Sequence, residues 1–167
     1  PLATLWPPLP WPPGEYFSDG SGGPFSSVPL LRRAAGSVVA YCQDKVFEER
    51  IQLNIEVSHL LNSTIPGEQT INRAELHMVN QCLAAIDPVD GLWTTVVSDS
   101  DYVVLGYNER GMHQCSSGWH SDLWDEFFSQ VQRHGFRVIL RKVYSHLGVL
   151  GALFSRISFR HMLGNAL

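Results

Sequence analysis

Two acidic residues stand where strands are predicted to end, a placement that suits metal-dependent chemistry. Asp19 closes the short apolar run of "EYFSDGSGGP", and the glycines after it favour a turn. Asp99 follows the β-branched run "LWTTVV" and precedes a helical segment in "SDSDYVV". Open α/β sheets place their sites at the carboxyl ends of strands. For each acid alone, a turn residue or a helix N-cap is the simpler interpretation.

A third acid lies on the apolar face of a predicted helix. In "INRAELHMVNQCLAAI", Glu75 falls within a stripe that has helical spacing. The apolar members of that stripe are Ile71, Met78, Val79, Cys82 and Ile86. A charged carboxylate on the face that packs against a sheet is costly unless it has a partner. Two interpretations stay open: an internal salt bridge, to Arg73 or to a distant lysine, or a metal ligand.

Together the three acids predict a site for divalent metal ions. A right-handed crossover would lay the Glu75 helix across the sheet, so that its carboxylate meets Asp19 and Asp99 at one sheet end. Three converging carboxylates repel one another, and divalent cations usually stabilise such clusters. The chemistry that fits is phosphoryl transfer with two Mg²⁺ ions roughly 4 Å apart, because this hard ion prefers carboxylate oxygens.

The elements that would hold these acids predict an α/β fold. Predicted strands cover residues 15–18, 36–43, 50–61, 92–97 and 136–144. Predicted helices cover residues 70–86, 100–106 and 121–134, with Ser121 as the N-cap of the last. Turn-rich connections between the first three strands suit antiparallel pairing, and helices separate the later strands. This order predicts a mixed sheet covered by helices on its faces.

Composition and charge describe an ordinary folded protein of one domain. Apolar residues make up 44% of the chain, charged residues make up 17%, and the formal net charge is −4. The acidic balance excludes nucleic-acid binding by bulk charge alone, but not a nuclease whose site is itself acidic. Cys42, Cys82 and Cys115 have no CxxC spacing, which predicts reduced thiols in an intracellular protein. No segment has the sequence pattern of a membrane span.

Five short motifs, in order along the chain, resemble ribonuclease H of the cellular and retroelement type. They are "YFSDGSGG", "INRAEL", "VVSDSDYVVLGYN", "SDLWDEF" and "KVYSHL". The resemblance runs from about Glu15 to the end of the chain. It implies a ribonuclease H-like, five-stranded mixed sheet, three antiparallel strands followed by two parallel ones, with helices on both faces. It also implies hydrolysis of the RNA strand of an RNA–DNA hybrid with two Mg²⁺ ions, for which Mn²⁺ can substitute.

The resemblance also implies roles for individual residues. Asp19, Glu75 and Asp99 are implied as metal ligands and catalytic residues. His146 in "YSHL" resembles a loop histidine that moves protons or helps release product, which suits a side chain that titrates near neutral pH. Asn72 is implied to contact the minor groove of the hybrid, where the 2′-hydroxyl distinguishes RNA from DNA. The full implied substrate-binding set is Gly20, Ser21, Asn72 and Ser100.

Two departures from the family pattern bear on activity. The family carries a fourth metal-binding acid after a Gly-Asn pair on a final helix, whereas here only Ala166 and Leu167 follow Gly164 and Asn165. This predicts either a domain recorded short of that helix or a site that lacks its fourth carboxylate. Many relatives also carry a basic, Trp-rich protrusion. Here residues 107–120 contain one arginine and one tryptophan, which predicts a weak independent grip on substrate.

Residues 1–14, "PLATLWPPLPWPPG", predict a linker or docking arm, with the folded domain in residues 15–167. Six prolines favour extended backbone there. Together with the weak grip, this suggests a domain tethered to a larger assembly, by analogy the reverse transcriptase of a retroelement. Two functions are therefore in competition: a hybrid-cleaving endonuclease, and a ribonuclease H-like domain that no longer cleaves and serves to bind nucleic acid or protein.

Overall fold

A computed structural model describes residues 3–21, 27–28, 33–41 and 57–144 of the chain. Its strands are β1 (Ala3–Trp6), β2 (Glu15–Ser21), β3 (Ala35–Tyr41), β4 (Val57–Thr64), β5 (Thr94–Ser98) and β6 (Val138–Lys142). They form one sheet in the order β1-β4-β3-β2-β5-β6. The pairs β1–β4, β4–β3 and β3–β2 are antiparallel, and the pairs β2–β5 and β5–β6 are parallel. The predicted mixed sheet is confirmed, with six strands rather than five.

The helices of the described residues are α1 (Ile71–Ala85), α2 (Asp101–Leu105), α3 (Gly111–Ser116) and α4 (Ser121–Arg133), with a π-helical turn at Gly106–Arg110. The side chain of Thr70 caps α1 by accepting a hydrogen bond from the Arg73 N–H. α1 packs on β2 and β3, and α4 packs on α1. The α/β class, a mixed sheet with helices on both faces, is confirmed.

Three features of the predicted elements differ from the structure: two strand ends and one helix cap. β2 continues two residues past Asp19, because Gly20 and Ser21 pair with the start of β3. β4 ends at Thr64 rather than at residue 61, and residues 50–56 of the predicted strand lie outside the described residues. α4 begins at Ser121, but its N-cap is His120 in a left-handed conformation without a side-chain cap bond. The capping role predicted for Ser121 is therefore wrong.

Residues 3–14 pack onto the sheet. β1 hydrogen-bonds to β4, which adds the sixth strand, because the stretch "ATLW" has no proline and can pair. Trp11 is 1% exposed and stacks on the ring of Tyr16. The Trp11 N–H donates to the Ala85 carbonyl at 2.9 Å, and the Asp87 N–H donates to the Trp11 carbonyl at 2.9 Å. A link from this segment to a partner stays a prediction, but its described part is integral to the fold.

Apolar side chains are buried on both faces of the sheet. Successive residues of a strand point to opposite faces, so neighbours such as Tyr16 and Phe17 join different clusters. Tyr16 belongs to the large cluster that α1 and α4 complete, whereas Phe17 packs with Val39, Val97 and Val143. The thiols of Cys82 and Cys115 are buried and free. Among the described residues, no helix has the length and apolar character needed to cross a bilayer.

Candidate active site

A close contact between β2 and α1 brings Asp19 and Glu75 together. A Cβ atom on Gly20 would lie 2.7 Å from the backbone nitrogen of Glu75 and 2.9 Å from the carbonyl carbon of Ala74. The absence of a side chain at Gly20 is therefore what allows the helix to approach the strand so closely. The Gly20 N–H also donates a hydrogen bond to the Glu75 carboxylate. Gly20 therefore allows the carboxylates of Asp19 on β2 and Glu75 on α1 to lie close together.

Asp99 lies in the tight turn that joins β5 to α2. The Ser98 hydroxyl accepts a hydrogen bond from the Ser100 N–H at 3.1 Å, and the Ser100 hydroxyl accepts one from the Val103 N–H at 3.4 Å. β5 lies beside β2 in the sheet, in parallel, so the turn after β5 is next to the end of β2. This arrangement carries Asp99 to the contact between β2 and α1.

The three acids converge as the sequence predicts. One carboxylate oxygen each from Asp19, Glu75 and Asp99 lies within 4.8 Å of the other two. Among the residues that the structure describes, these acids form the one group of three or more His, Cys, Asp or Glu side chains with this geometry. Glu75 is 5% exposed, and the two aspartates are half-buried, so the cluster opens to solvent on the aspartate side.

The surroundings of Glu75 are unfavourable for a negative charge. Burial, followed by the neighbouring charges of Asp19 and Asp99, raises the pKa of Glu75 to about 9. The hydrogen bond from Gly20 acts in the opposite direction but is the weaker influence. Without a cation, the cluster therefore holds a proton on Glu75 at neutral pH.

The residues present fit a divalent cation. Oε2 of Glu75 is buried and has no hydrogen-bond partner, although a buried carboxylate oxygen ordinarily has one. The donor set consists of carboxylate oxygens, which hard ions such as Mg²⁺ and Mn²⁺ prefer over softer metals. A cation at this position would satisfy the buried oxygen and reduce the repulsion among the three acids.

Arg73 does not neutralise Glu75. Its guanidinium forms a bidentate pair with Asp122 at the start of α4, with distances of 3.0 and 2.6 Å. A further bond joins Nε of Arg73 to the Pro66 carbonyl at 2.8 Å. The pair lowers the pKa of Asp122 to about 2, chiefly through the hydrogen bond from Arg73. The alternative of an internal salt bridge from Glu75 to Arg73 is thereby excluded, and Arg73 instead fastens α1 to α4.

A pocket of about 420 Å³ is lined by residues from the start of α1 and from the helical segments that follow Asp99. Asn72 reaches it from the first turn of α1, and Trp119, which is 79% exposed, lines another side. Tyr102, Arg110 and His120 contribute polar and cationic groups. Sequence reasoning missed these three residues. The sequence carried no signal for them, because ordinary helices and loops contain residues of these types.

The remaining predicted residues have mixed outcomes. Ser21 is exposed at the end of β2, and Ser100 serves as the N-cap of α2. Trp124, which lies on α4 behind this pocket, is 1% exposed, and its indole N–H donates to the Tyr102 hydroxyl at 2.8 Å. His146 and the Gly164-Asn165 pair lie outside the described residues. Their predicted roles stay predictions.

Comparison with known proteins places the fold. No family model and no curated protein matches the chain. The solution structure of the PFV RNase H domain is 16% identical, with a TM-score of 0.63 over 92% of this chain and 88% of that one. A foamy viral protease-reverse transcriptase in complex with dsDNA is 18% identical, with a TM-score of 0.54 over 89% and 92%. LC11-RNase H1 in complex with an RNA/DNA hybrid is 16% identical, with a TM-score of 0.50 over 89% and 98%. The chain therefore has the ribonuclease H-like fold.

Proposed function

We propose that this domain is an endonuclease that hydrolyses the RNA strand of RNA–DNA hybrids with Mg²⁺. The observation that carries the proposal is the convergence of Asp19, Glu75 and Asp99 within 4.8 Å, with a buried Glu75 oxygen that has no partner. Such a cluster lowers the stability of a metal-free protein and suits a divalent cation. The ribonuclease H-like fold of solved neighbours supports the same reaction class.

Each acid has a defined task in this proposal. Asp19 and Asp99, which are half-buried, would hold the cations from the solvent side of the cluster, and Glu75 would hold them from the helix side. When bound, a pair of Mg²⁺ ions supplies an activated water and stabilises the leaving oxygen of the phosphodiester. His146 is assigned to proton transfer or product release, since histidine titrates near neutral pH.

Substrate recognition is assigned to the surface between Asn72 and Trp119. The Asn72 amide can both donate and accept, as hydrogen bonding to a 2′-hydroxyl requires, and such contacts distinguish RNA from DNA. The exposed ring of Trp119 suits stacking on a base or sugar, and Arg110 suits a phosphate. Ser21 is the exposed last residue of β2, two residues after Asp19. We assign it a contact with the sugar-phosphate backbone of the hybrid. Ser100 follows Asp99 and has the same assignment.

The decisive experiment is cleavage of a labelled RNA–DNA hybrid in Mg²⁺ and in Mn²⁺ by the wild type, Asp99→Asn and Asp90→Asn. Asp90 is an exposed acid in the loop after α1 and is the matched control. We expect wild-type cleavage in the RNA strand alone, activity of Asp90→Asn within about twofold of it, and a loss of at least about 100-fold in Asp99→Asn, as expected when a metal-binding group is lost.

Cleavage by Asp99→Asn at the wild-type rate would contradict the assignment of this acid. Absence of cleavage by the wild type, with tight binding of the hybrid retained, would favour the competing function of a binding module.

The structural similarity to a foamy viral protease-reverse transcriptase supports a further proposal: the domain works while it is joined to a reverse transcriptase. Faster cleavage of the hybrid by the joined protein than by the separate domain is the expected result.

A further inference from the structure

Lys142, the last residue of β6, places an ammonium group against the turn that carries Asp99. In the parallel pairing of β5 with β6, Lys142 lies opposite Ser98, and the Val143 N–H donates to the Ser98 carbonyl at 3.0 Å. The Lys142 Nζ donates a hydrogen bond to the carbonyl of Asp99 and lies 3.1 Å from Oδ1 of Asp101. One side chain thus holds both ends of the segment from Asp99 to Asp101.

The two serines of the turn fix its ends rather than its centre. Ser98 accepts from the Ser100 N–H, and Ser100 caps α2. The Lys142 bond acts on Asp99 itself, the residue whose carboxylate faces Glu75 and Asp19. The Lys142 side chain is 29% exposed and Asp101 is 73% exposed, so the hydrogen bond to the Asp99 carbonyl is the better shielded of the two contacts.

We propose that Lys142 is a positioning residue for metal binding, which orients Asp99 toward the other two carboxylates before any cation arrives. The proposal rests on the proposed function, because it assumes that the three acids bind metal. Groups that orient a ligand commonly change metal affinity by about 10- to 100-fold when they are removed. Lys142 also supplies a positive charge next to a cluster of three acids, which favours their convergence in the folded chain.

Arg141 provides a matched control on the same strand. It is a cation directly before Lys142, but its guanidinium lies 3.7 Å from the Glu15 carboxylate instead of at the turn. Removal of either cation changes the net charge by the same amount. Because neighbouring residues of a strand point to opposite faces, removal of Arg141 leaves the contacts at the Asp99 turn intact. A difference between the two variants therefore reports on position rather than on charge alone.

The test is titration of Mn²⁺ into the substrate-free protein, for the wild type and for Lys142→Met, Lys142→Gln, Lys142→Arg and Arg141→Met. Melting temperatures in EDTA establish that each variant is folded. We expect Lys142→Met to weaken Mn²⁺ affinity by about tenfold, Lys142→Arg to restore it to within about threefold, and Arg141→Met to match the wild type. Lys142→Gln keeps a donor for the Asp99 carbonyl, so its Mn²⁺ affinity should lie between those of Lys142→Met and Lys142→Arg. In cleavage assays, half-saturation with Mg²⁺ should shift in the same order, while KM for the hybrid stays within about twofold.

Wild-type Mn²⁺ affinity in folded Lys142→Met would overturn the proposal. A raised KM for the hybrid at saturating Mg²⁺, with Mn²⁺ affinity unchanged, would also overturn it, because it would make Lys142 a phosphate contact. If Lys142→Met does not fold, Lys142→Gln decides in its place, and equal affinity of Lys142→Gln and Arg141→Met would count against the role. A wild type that does not bind Mn²⁺ would reject the metal site itself, which is a separate failure from that of Lys142.

Discussion

At the scale of single residues, Glu75 determines how the site behaves without metal. Its carboxylate is buried against β2, its Oε2 has no hydrogen-bond partner, and two aspartates lie within 4.8 Å. The folded protein therefore keeps a proton on Glu75 that the unfolded chain would release above the ordinary carboxyl pKa. Metal binding and proton release are coupled at this residue, since a cation competes with that proton.

The pH dependence of stability follows from this raised pKa. Between the ordinary carboxyl value and about pH 9, the folded state binds the additional proton, so the free energy of unfolding falls as pH rises. The slope from one such group is at most about 1.4 kcal/mol per pH unit. We expect Glu75→Gln to remove this slope in EDTA, and to be more stable than the wild type at pH 8. Urea unfolding at pH 5 to 9 measures both.

Two further results would bear on the same residue. Added Mg²⁺ should stabilise the wild type at pH 8, because a ligand that binds the folded state alone favours folding, and should not stabilise Glu75→Gln. Parallel pH profiles for the two proteins in EDTA would contradict the raised pKa.

Sequence reasoning identified the three acids but not what surrounds them. Asp19, Glu75 and Asp99 could be predicted because acids at strand ends and on an apolar helix face violate the usual pattern of burial. Tyr102, Arg110 and Lys142 gave no such signal, since an ordinary helix or strand end contains residues of these types. The pairing of Arg73 with Asp122 rather than Glu75 depends on how α1 and α4 pack, which separations along the chain do not reveal.

At the scale of elements, the approach of α1 to the sheet depends on glycine. Gly20 faces the backbone of α1, and a Cβ on Gly36 would lie 2.1 Å from Cγ of Met78. The two glycines are paired across β2 and β3, so they form a flat area against which the helix packs. β2 continues past Asp19 because Gly20 and Ser21 remain paired with β3, although the glycines had indicated a turn.

Gly20→Ala should impair both folding and metal binding. The new methyl would meet backbone atoms of α1, which cannot rotate away, so the helix must shift from the strand. We expect a loss of about 1–3 kcal/mol in the free energy of unfolding, and weaker Mn²⁺ binding because Glu75 moves with the helix. Gly14→Ala is the control, since its nearest atom would be the Tyr16 Cε2 at 3.7 Å, an ordinary contact. Equal effects of the two substitutions on Mn²⁺ affinity would argue against the close approach as the basis of the site.

At the scale of the whole molecule, residues 3–14 extend the fold beyond the predicted domain. Trp11 lies against Tyr16 and His59, and its indole N–H donates to the Pro7 carbonyl at 2.8 Å. The predicted boundary at residue 14 rested on proline content, which describes backbone geometry and does not reveal where a large aromatic ring is buried. The antiparallel pairing of β2, β3 and β4 could be predicted because turn-rich connections separate them, and the mixed character of the sheet because helices separate the later strands.

Trp11→Ala should destabilise the whole domain. Truncation of a buried tryptophan commonly costs about 3–5 kcal/mol, through lost burial and the cavity that remains. Trp6→Ala, at a side chain that is 56% exposed in the same segment, should change the free energy of unfolding by less than about 1 kcal/mol. Urea unfolding in EDTA measures both. A near-zero effect of Trp11→Ala would mean that the segment behaves as a detached arm.

The pairing of β1 with β4 also determines what the sheet offers to other molecules on that side. A long strand at the border of a sheet presents unpaired N–H and C=O groups and invites another chain to add to it, which is a route to aggregation. Among the described residues, the eight-residue β4 is covered, and the border strand is the four-residue β1, which is followed directly by two prolines. Proline has no N–H to offer a further strand. In the described part of the chain, β1 therefore leaves fewer backbone groups available for edge-to-edge association than an uncovered β4 would.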